Sequence, residues 1–200
     1  MMVRRLLDLF AATVGGVFVA PLAIVVGLAV RGTMGKPVFF VQQRSGQGGR
    51  AFPMIKFRTM SDDRGPDGTL LGDRERVTRL GRFLRRSRLD ELPELWNIMT
   101  GDMALIGPRP LLPTTINALG EAGRRRGAFK PGLTGWAQVN GNTLLEEADK
   151  IALDLWYVAH ASLWLDLRII AKTVMMILFG EKIDRQQLGR AYAGCADRRG

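Results

Sequence analysis

The feature that most constrains this chain is the apolar run over residues 6–30, in which Asp8 is the only charged residue. Roughly 25 residues at about 1.5 Å each would extend about 37 Å as a helix, enough to cross a hydrocarbon core about 30 Å thick. A cleaved leader fits less well, because the run is long and no short polar region with a cleavage site follows it before Arg31. Two features act against a simple spanning helix. Pro21 lies near the middle, where it removes a backbone donor and favours a kink or break. Arg4 and Arg5 precede the run and Arg31 and Lys36 follow it, and basic flanks tend to stay on the cytoplasmic side. A helix–break–helix that enters and leaves by one leaflet satisfies both features. On these residues alone, a plain anchor with a tolerated proline satisfies them equally well.

The rest of the chain is rich in Arg and Gly, and 200 residues allow one domain with one core. A formal net charge of +10 favours anionic partners, whether phosphate esters, nucleic acid or an anionic leaflet, without choosing among them. Cys195 is the only cysteine, which excludes an intrachain disulfide and a Cys-based zinc site and suits a reducing compartment. His160 is the only histidine, so acid–base and nucleophilic chemistry falls mainly to carboxylates.

Residues 38–44 and 51–58 read as strands joined by the glycine-rich turn at 45–50, a hairpin in which Pro53 marks an edge. Residues 61–72 read as a polar loop. From Asp73 the pattern turns helical, with Val77, Leu80, Phe83 and Leu84 at helical spacing and seven arginines between Arg74 and Arg88. Another helix is expected over residues 89–99, with Pro93 in its first turn and Asp90 and Glu91 at its N-terminal end. A Pro/Gly-rich loop covers residues 130–141. Helices follow over residues 144–164 and 165–179. Trp156, Tyr157 and Trp164 suit an amphipathic helix at a membrane interface, and a buried core helix explains the same residues as well. Beyond Gly180 a polar, loosely held tail is expected.

Asp90-Glu91 is the strongest local candidate for chemistry. A helix start keeps a carboxylate ionised, an ionised Asp can attack phosphorus, and a neighbouring carboxylate can hold Mg²⁺. Adjacent acids at a helix start are also common as plain capping and dipole partners, and spacing alone favours that reading. Gly107-Pro-Arg-Pro110 fixes the backbone on both sides of Arg109, which suits bidentate phosphate recognition; either Xaa–Pro bond could be cis. Lys56 and Arg58 would share a strand face and could meet phosphate there.

Taken in order, these motifs closely resemble the bacterial sugar transferase family, the small monotopic phosphoglycosyl transferases. The matching stretches are Lys56-Phe-Arg-Thr-Met60, Arg88-Leu-Asp-Glu-Leu-Pro93, Asn97, Gly101-Asp-Met103, Gly107-Pro-Arg-Pro110, Lys130-Pro-Gly-Leu-Thr-Gly-Trp-Ala-Gln-Val-Asn-Gly141, Leu153-Asp-Leu-Trp-Tyr-Val158 and Leu165-Asp166-Leu167. The resemblance implies an α+β, mainly helical fold with a proline-broken re-entrant membrane helix, a small β-hairpin and amphipathic interfacial helices. It divides the chain into a membrane helix and junction (1–36), a catalytic domain on the cytoplasmic face of the bacterial inner membrane (37–180) and a polar tail (181–200). The implied reaction transfers a phosphosugar from a UDP-sugar to polyprenol phosphate, giving a polyprenyl diphosphosugar and UMP, the first membrane step of glycoconjugate or exopolysaccharide assembly. Asp90 is implied as the nucleophile and Glu91 as its partner in a Mg²⁺-dependent dyad. Lys56, Arg58, Arg85, Arg109, Gln138 and Asn140 are implied in phosphate and substrate binding, and Pro21 in the membrane break. Membrane lipids are implied partners and nucleic acid is not; a homo-oligomer or glycosyltransferase partners stay open, as do the sugar and the downstream glycan.

Two positions depart from the family pattern. Asn142 stands where Arg is common, and Ala20 replaces the usual Ser before the breaking proline. A rival reading, a membrane-anchored non-catalytic binder of anionic lipid or nucleic acid, explains the charge and the arginine-rich helix. It does not explain the ordered Lys-Phe-Arg, Asp-Glu and Pro-Arg-Pro elements.

Overall fold

A computed structural model describes residues 2–196, with side chains through residue 194, so Cys195 falls outside the described side chains. The chain opens with α1 (Met2–Met34), whose helical backbone continues through Pro21. The break expected there is therefore not a loss of helix: Pro21 has no N–H to donate to the turn before it, and the helical backbone continues on both sides of that missing bond. The mean hydropathy of its most apolar 18-residue window is 2.4, and by length and composition α1 is able to cross a membrane.

Both ends of α1 are fastened to the rest of the molecule. Near the start, Arg4 Nε meets Asp166 at 2.9 Å, Arg5 donates to the carbonyls of Ile98 and Met99, and Asp8 accepts from the Leu105 amide. Near the end, Arg58 Nη1 donates to the carbonyls of Met34 and Lys36. Between these ties Ala12, Val26 and Val30 are buried, while Val17, Phe18, Ile24 and Val25 are exposed.

The hairpin forms as its sequence predicts. Strands β1 (Phe39–Ser45) and β2 (Ala51–Phe57) pair antiparallel from Phe39 opposite Phe57 to Ser45 opposite Ala51. The free edge of β2 is occupied by the Asn97 amide, which donates to the Pro53 carbonyl and accepts from Ile55 N–H, so one side chain does the work of a third strand.

The helix expected from Asp73 is instead two. After α2 (Asp73–Arg76), Val77 is extended and pairs with Met60, and Thr78 caps α3 (Arg79–Ser87) by accepting from Gly81 N–H. A Ser/Thr side chain bonded to a backbone amide two or three residues on is a strong start signal, and it outweighs the unbroken apolar spacing. Gly81 has no alternative, since a Cβ there would lie 1.9 Å from the Thr59 carbonyl oxygen.

Helix α4 (Glu94–Thr100) ends at Gly101, which takes the left-handed conformation at φ 94°. Strand β3 (Ala104–Ile106) follows, then α5 (Pro113–Ala118), α6 (Glu121–Arg126), β4 (Gly132–Thr134) and α7 (Trp136–Val139). β3 and β4 pair in parallel, with Ala104 opposite Gly132 and Ile106 opposite Thr134. Two long helices, α8 (Glu147–His160) and α9 (Leu163–Phe179), start within a few residues of their expected positions. The expectation of a loosely held tail is overturned across α10 (Arg185–Ala196), which packs on α8 and buries Ala191 completely.

The largest apolar core joins Trp136, Leu153, Tyr157, Leu165, Ile169 and Ala191. Two smaller clusters set the hairpin against α1, one through Ala12, Phe52, Met54, Ile98 and Met103, the other through Val26, Val30, Phe57 and Leu84. Trp156 is half-buried and stacks on Trp136 at 5.4 Å, and Tyr157 is buried, so of the three aromatics suited to an interface only Trp164 is exposed. The other face of α9 leaves Leu167, Val174, Ile177, Leu178 and Phe179 uncovered.

Candidate active site

A left-handed residue creates the site. Arg88 (φ 57°) ends α3 and turns the chain into one 3-10 turn, Leu89–Glu91, ahead of α4. Pro93 lies at the cap of α4 rather than in its first turn, and Asp90 and Glu91 precede the helix instead of opening it. A seven-residue helix offers a weaker terminal charge than the basic side chains that surround this turn.

Glu91 is held from three sides. Lys56 Nζ reaches its Oε1 at 2.8 Å, Arg109 Nη2 reaches the same oxygen at 2.5 Å, and Arg88 Nη1 lies 3.5 Å from Oε2. Burial works to raise the Glu91 carboxyl, but Arg109 and then Lys56 pull it down to about 2, so it stays ionised. Lys56 also meets Glu94 at 3.0 Å. Burial raises the Glu94 carboxyl to about 7, with Lys56 opposing and the Glu91 charge assisting.

Asp90 differs from both. It is buried at 8% exposure, yet its carboxylate has no hydrogen-bond or ion-pair partner among the described residues. Burial and then the Glu91 charge raise its pKa, against the charges of Lys56, Arg109 and Arg85. A desolvated, unpaired carboxylate facing three cations is a stronger nucleophile than one tied up in hydrogen bonds.

Arg109 is aimed by its backbone. The Pro108 carbonyl accepts from Gly132 N–H, Arg126 donates to the Arg109 carbonyl, Arg44 donates to the Pro110 carbonyl, and Gly107 N–H donates to Thr134. Only Gly fits at 107, where a Cβ would lie 2.3 Å from the Lys130 carbonyl oxygen. Both Xaa–Pro bonds of this loop are trans; Lys36–Pro37 is the cis bond among the described residues.

The remaining candidates divide. Arg85 lines the cleft, its Nε bonded to Thr59. Arg58 borders the same cleft, but its guanidinium is committed to the carbonyls of Met34, Lys36 and Met60 and to Asp62, so it does not join Lys56. Gln138 lines the cleft with its Oε1 buried and unpartnered. Asn140 is fully buried between the Trp136 carbonyl and Lys172 and does not border the cleft. The cleft itself measures about 1770 Å³, well beyond a typical single-ligand pocket of about 300–1,000 Å³.

Sequence reading missed Glu94, Arg126, Asp154 and Glu181. Glu94 follows Glu91 at a three-residue spacing that puts both on one helical face, a signal that could have found it. Asp154 stands in the matching stretch at residues 153–158, where it was given no role; Arg126 and Glu181 act across long sequence separations and leave no local trace.

The sequence profile of the bacterial sugar transferases matches residues 1–180. The chain belongs to that family. The chain is 43% identical over 185 residues to the "Uncharacterized sugar transferase EpsL" of Bacillus subtilis, a match covering 92% of each chain. It is also 40% identical to the UDP-glucose:undecaprenyl-phosphate glucose-1-phosphate transferase of Caulobacter vibrioides, across 88% of this chain and 69% of that one. An enzyme of the same name from Xanthomonas campestris is 40% identical across 90% of this chain, which spans only 39% of that longer protein.

A Mg²⁺ ion, as the resemblance implies, has donors here of the right kind. The carboxylate of Asp90 is free, and Glu91 Oε2 has only the long Arg88 contact. Mg²⁺ takes one or two carboxylates and completes its shell with water and substrate phosphate, so Asp90 and Glu91 could hold it without a larger acidic cluster, and none occurs among the described residues.

Proposed function

We propose that this protein transfers a phosphosugar from a UDP-sugar to polyprenol phosphate through a covalent intermediate on Asp90. The observation that carries the reading is the contrast inside the dyad: Glu91 is locked by cations while its neighbour Asp90 is buried, unpaired and open to a large cleft. An Asp90 oxygen attacks the phosphorus that bears the sugar. The bond from that phosphorus to the bridging oxygen breaks, and its electron pair departs with UMP. A phosphate oxygen of the polyprenol phosphate then attacks the same phosphorus and releases the Asp90 carboxylate. Lys56, Arg85 and Arg109 offset charge on the transferring group, and Mg²⁺ held by Asp90 and Glu91 would add Lewis-acid polarisation of the diphosphate.

The membrane assignment has physical support. A lipid-bound acceptor and a water-soluble donor meet at an interface, and a covalent intermediate lets them bind in turn. Ties from both ends of α1 to one domain suit a re-entrant course with that domain on the cytoplasmic face, bent at Pro21 within a continuous helix. The similar enzymes from Caulobacter and Xanthomonas, whose names specify UDP-glucose and undecaprenyl phosphate, support the same donor and acceptor classes. Incubation of the detergent-solubilised protein with Mg²⁺ and a panel of UDP-sugars, without acceptor, tests the reading. The expected result is UMP release and a mass increase of one phosphosugar, mapped to the Asp90 peptide. No UMP from any UDP-sugar, even after polyprenol phosphate is added, would sink it; UMP only on adding acceptor would replace the intermediate with direct transfer.

A further inference from the structure

One wall of the cleft carries a charge network outside the dyad. Asn142 has a positive φ of 46°, which fixes it in the left-handed region and turns its side chain onto the cleft wall. Its Nδ2 donates to Glu181 Oε1, which also accepts from Arg88 Nη2 at 3.0 Å. The other Glu181 oxygen accepts from the backbone N–H and the hydroxyl of Thr143. Four donors on two oxygens leave Glu181 no spare capacity for a ligand.

The same arrangement decides which way the Asn142 amide faces. An ionised carboxylate only accepts hydrogen bonds, so the NH₂ group must point to Glu181 and the carbonyl Oδ1 must point away. Burial opposes ionisation of Glu181, but the bonds from Thr143 and then Asn142 hold its carboxyl below the usual range. Oδ1 has no partner among the described residues, although Asn142 is only 8% exposed. A half-enclosed acceptor of fixed direction discriminates strongly, because a ligand lacking the matching donor leaves it unpaired.

We infer that Asn142 is a specificity-determining residue that accepts a hydrogen bond from a hydroxyl or amide N–H of the donor's sugar, and that Glu181 is the positioning residue that orients it. Glu181 lies just past the span matched by the family profile, so the device recruits the segment between α9 and α10 into the cleft. A neutral acceptor favours an uncharged sugar over one whose carboxylate would face Oδ1.

The inference rests on the proposed transfer reaction, and kinetics of UMP release across a panel of UDP-sugars separates the two. Asn142→Gly keeps the positive φ at no steric cost and deletes only the amide. It should raise KM for the preferred UDP-sugar about tenfold, leave kcat within about threefold, and flatten the preference among sugars. Glu181→Gln, which retains some hydrogen bonding but lacks the charge, should shift KM in the same direction by less. The double variant should show the same sugar preference as Asn142→Gly, because Glu181 bears on that preference through Asn142, while its pairing with Arg88 bears on turnover for all sugars alike. Unchanged KM and selectivity in Asn142→Gly, with wild-type activity intact, overturns the inference alone. So does a double variant whose sugar preference is flatter than that of Asn142→Gly. A wild-type protein that releases no UMP from any sugar overturns it together with the reaction.

Discussion

Two buried charge clusters lie along the same cleft and are built on opposite principles. Arg126 and Asp154 form a pair at 2.8 Å with side chains 5% and 2% exposed, and the one positive charge meets one negative. Around Asp90 and Glu91 the cations Lys56, Arg85, Arg88 and Arg109 converge, and Asp90 itself is left without a partner. A balanced pair holds backbone: Arg126 fastens the Arg109 carbonyl and so aims the Pro-Arg-Pro loop. A cluster that leaves one carboxylate uncommitted among several cations is costly for the fold and suited to anionic substrate. The difference teaches that exposure alone does not separate architecture from chemistry, since both clusters are buried; the balance of partners does.

The comparison can be broken at either cluster. The largest effect is expected at Asp90→Asn, which should lower UMP release about a thousandfold or more with little change in melting temperature. Asp154→Ala should do the reverse. Leaving Arg126 buried without its partner should cost about 3–5 kcal/mol in denaturant unfolding, while activity per folded molecule falls only as far as Arg109 is misdirected. Glu91→Gln is expected to reduce turnover about a hundredfold, because Lys56 and Arg109 lose the charge that holds them. Chelation by EDTA should suppress the reaction in the wild type, with Mg²⁺ restoring it; activity that survives exhaustive chelation would remove the metal from the dyad's role. The smallest effect belongs to the exposed Arg124–Glu121 pair, whose loss through Glu121→Ala should stay within about 0.5 kcal/mol and leave turnover unaltered.

Much of the fold was legible because its signals are local. The apolar run, the glycine turn between two strands and the long C-terminal helices follow from periodicity and turn residues over short windows. The errors have a common origin in local bonds or distant packing. Thr78 capped a new helix inside a continuous apolar pattern, and α10 was overlooked because its burial depends on α8, more than twenty residues earlier. At the site, Asp90, Glu91, Lys56 and Arg109 were visible as motif residues. Arg58 and Asn140 belong to the same motifs, yet the structure spends their polar groups on carbonyls and side chains of the scaffold.

The sequence by itself determined a helix apolar enough to enter a membrane, a histidine-poor chain whose chemistry must use carboxylates, and the ordered motifs of a sugar transferase. Only the tertiary structure decided which carboxylate is free. Asp90 and Glu91 are adjacent and chemically alike, and no local rule distinguishes them. Lys56 arrives from the hairpin and Arg109 from the loop after β3, and both reach Glu91. Electrostatic pairing depends on distance in space, falling off over a few ångströms, so which of the two carboxylates is paired can be read only from the fold that brings those residues together.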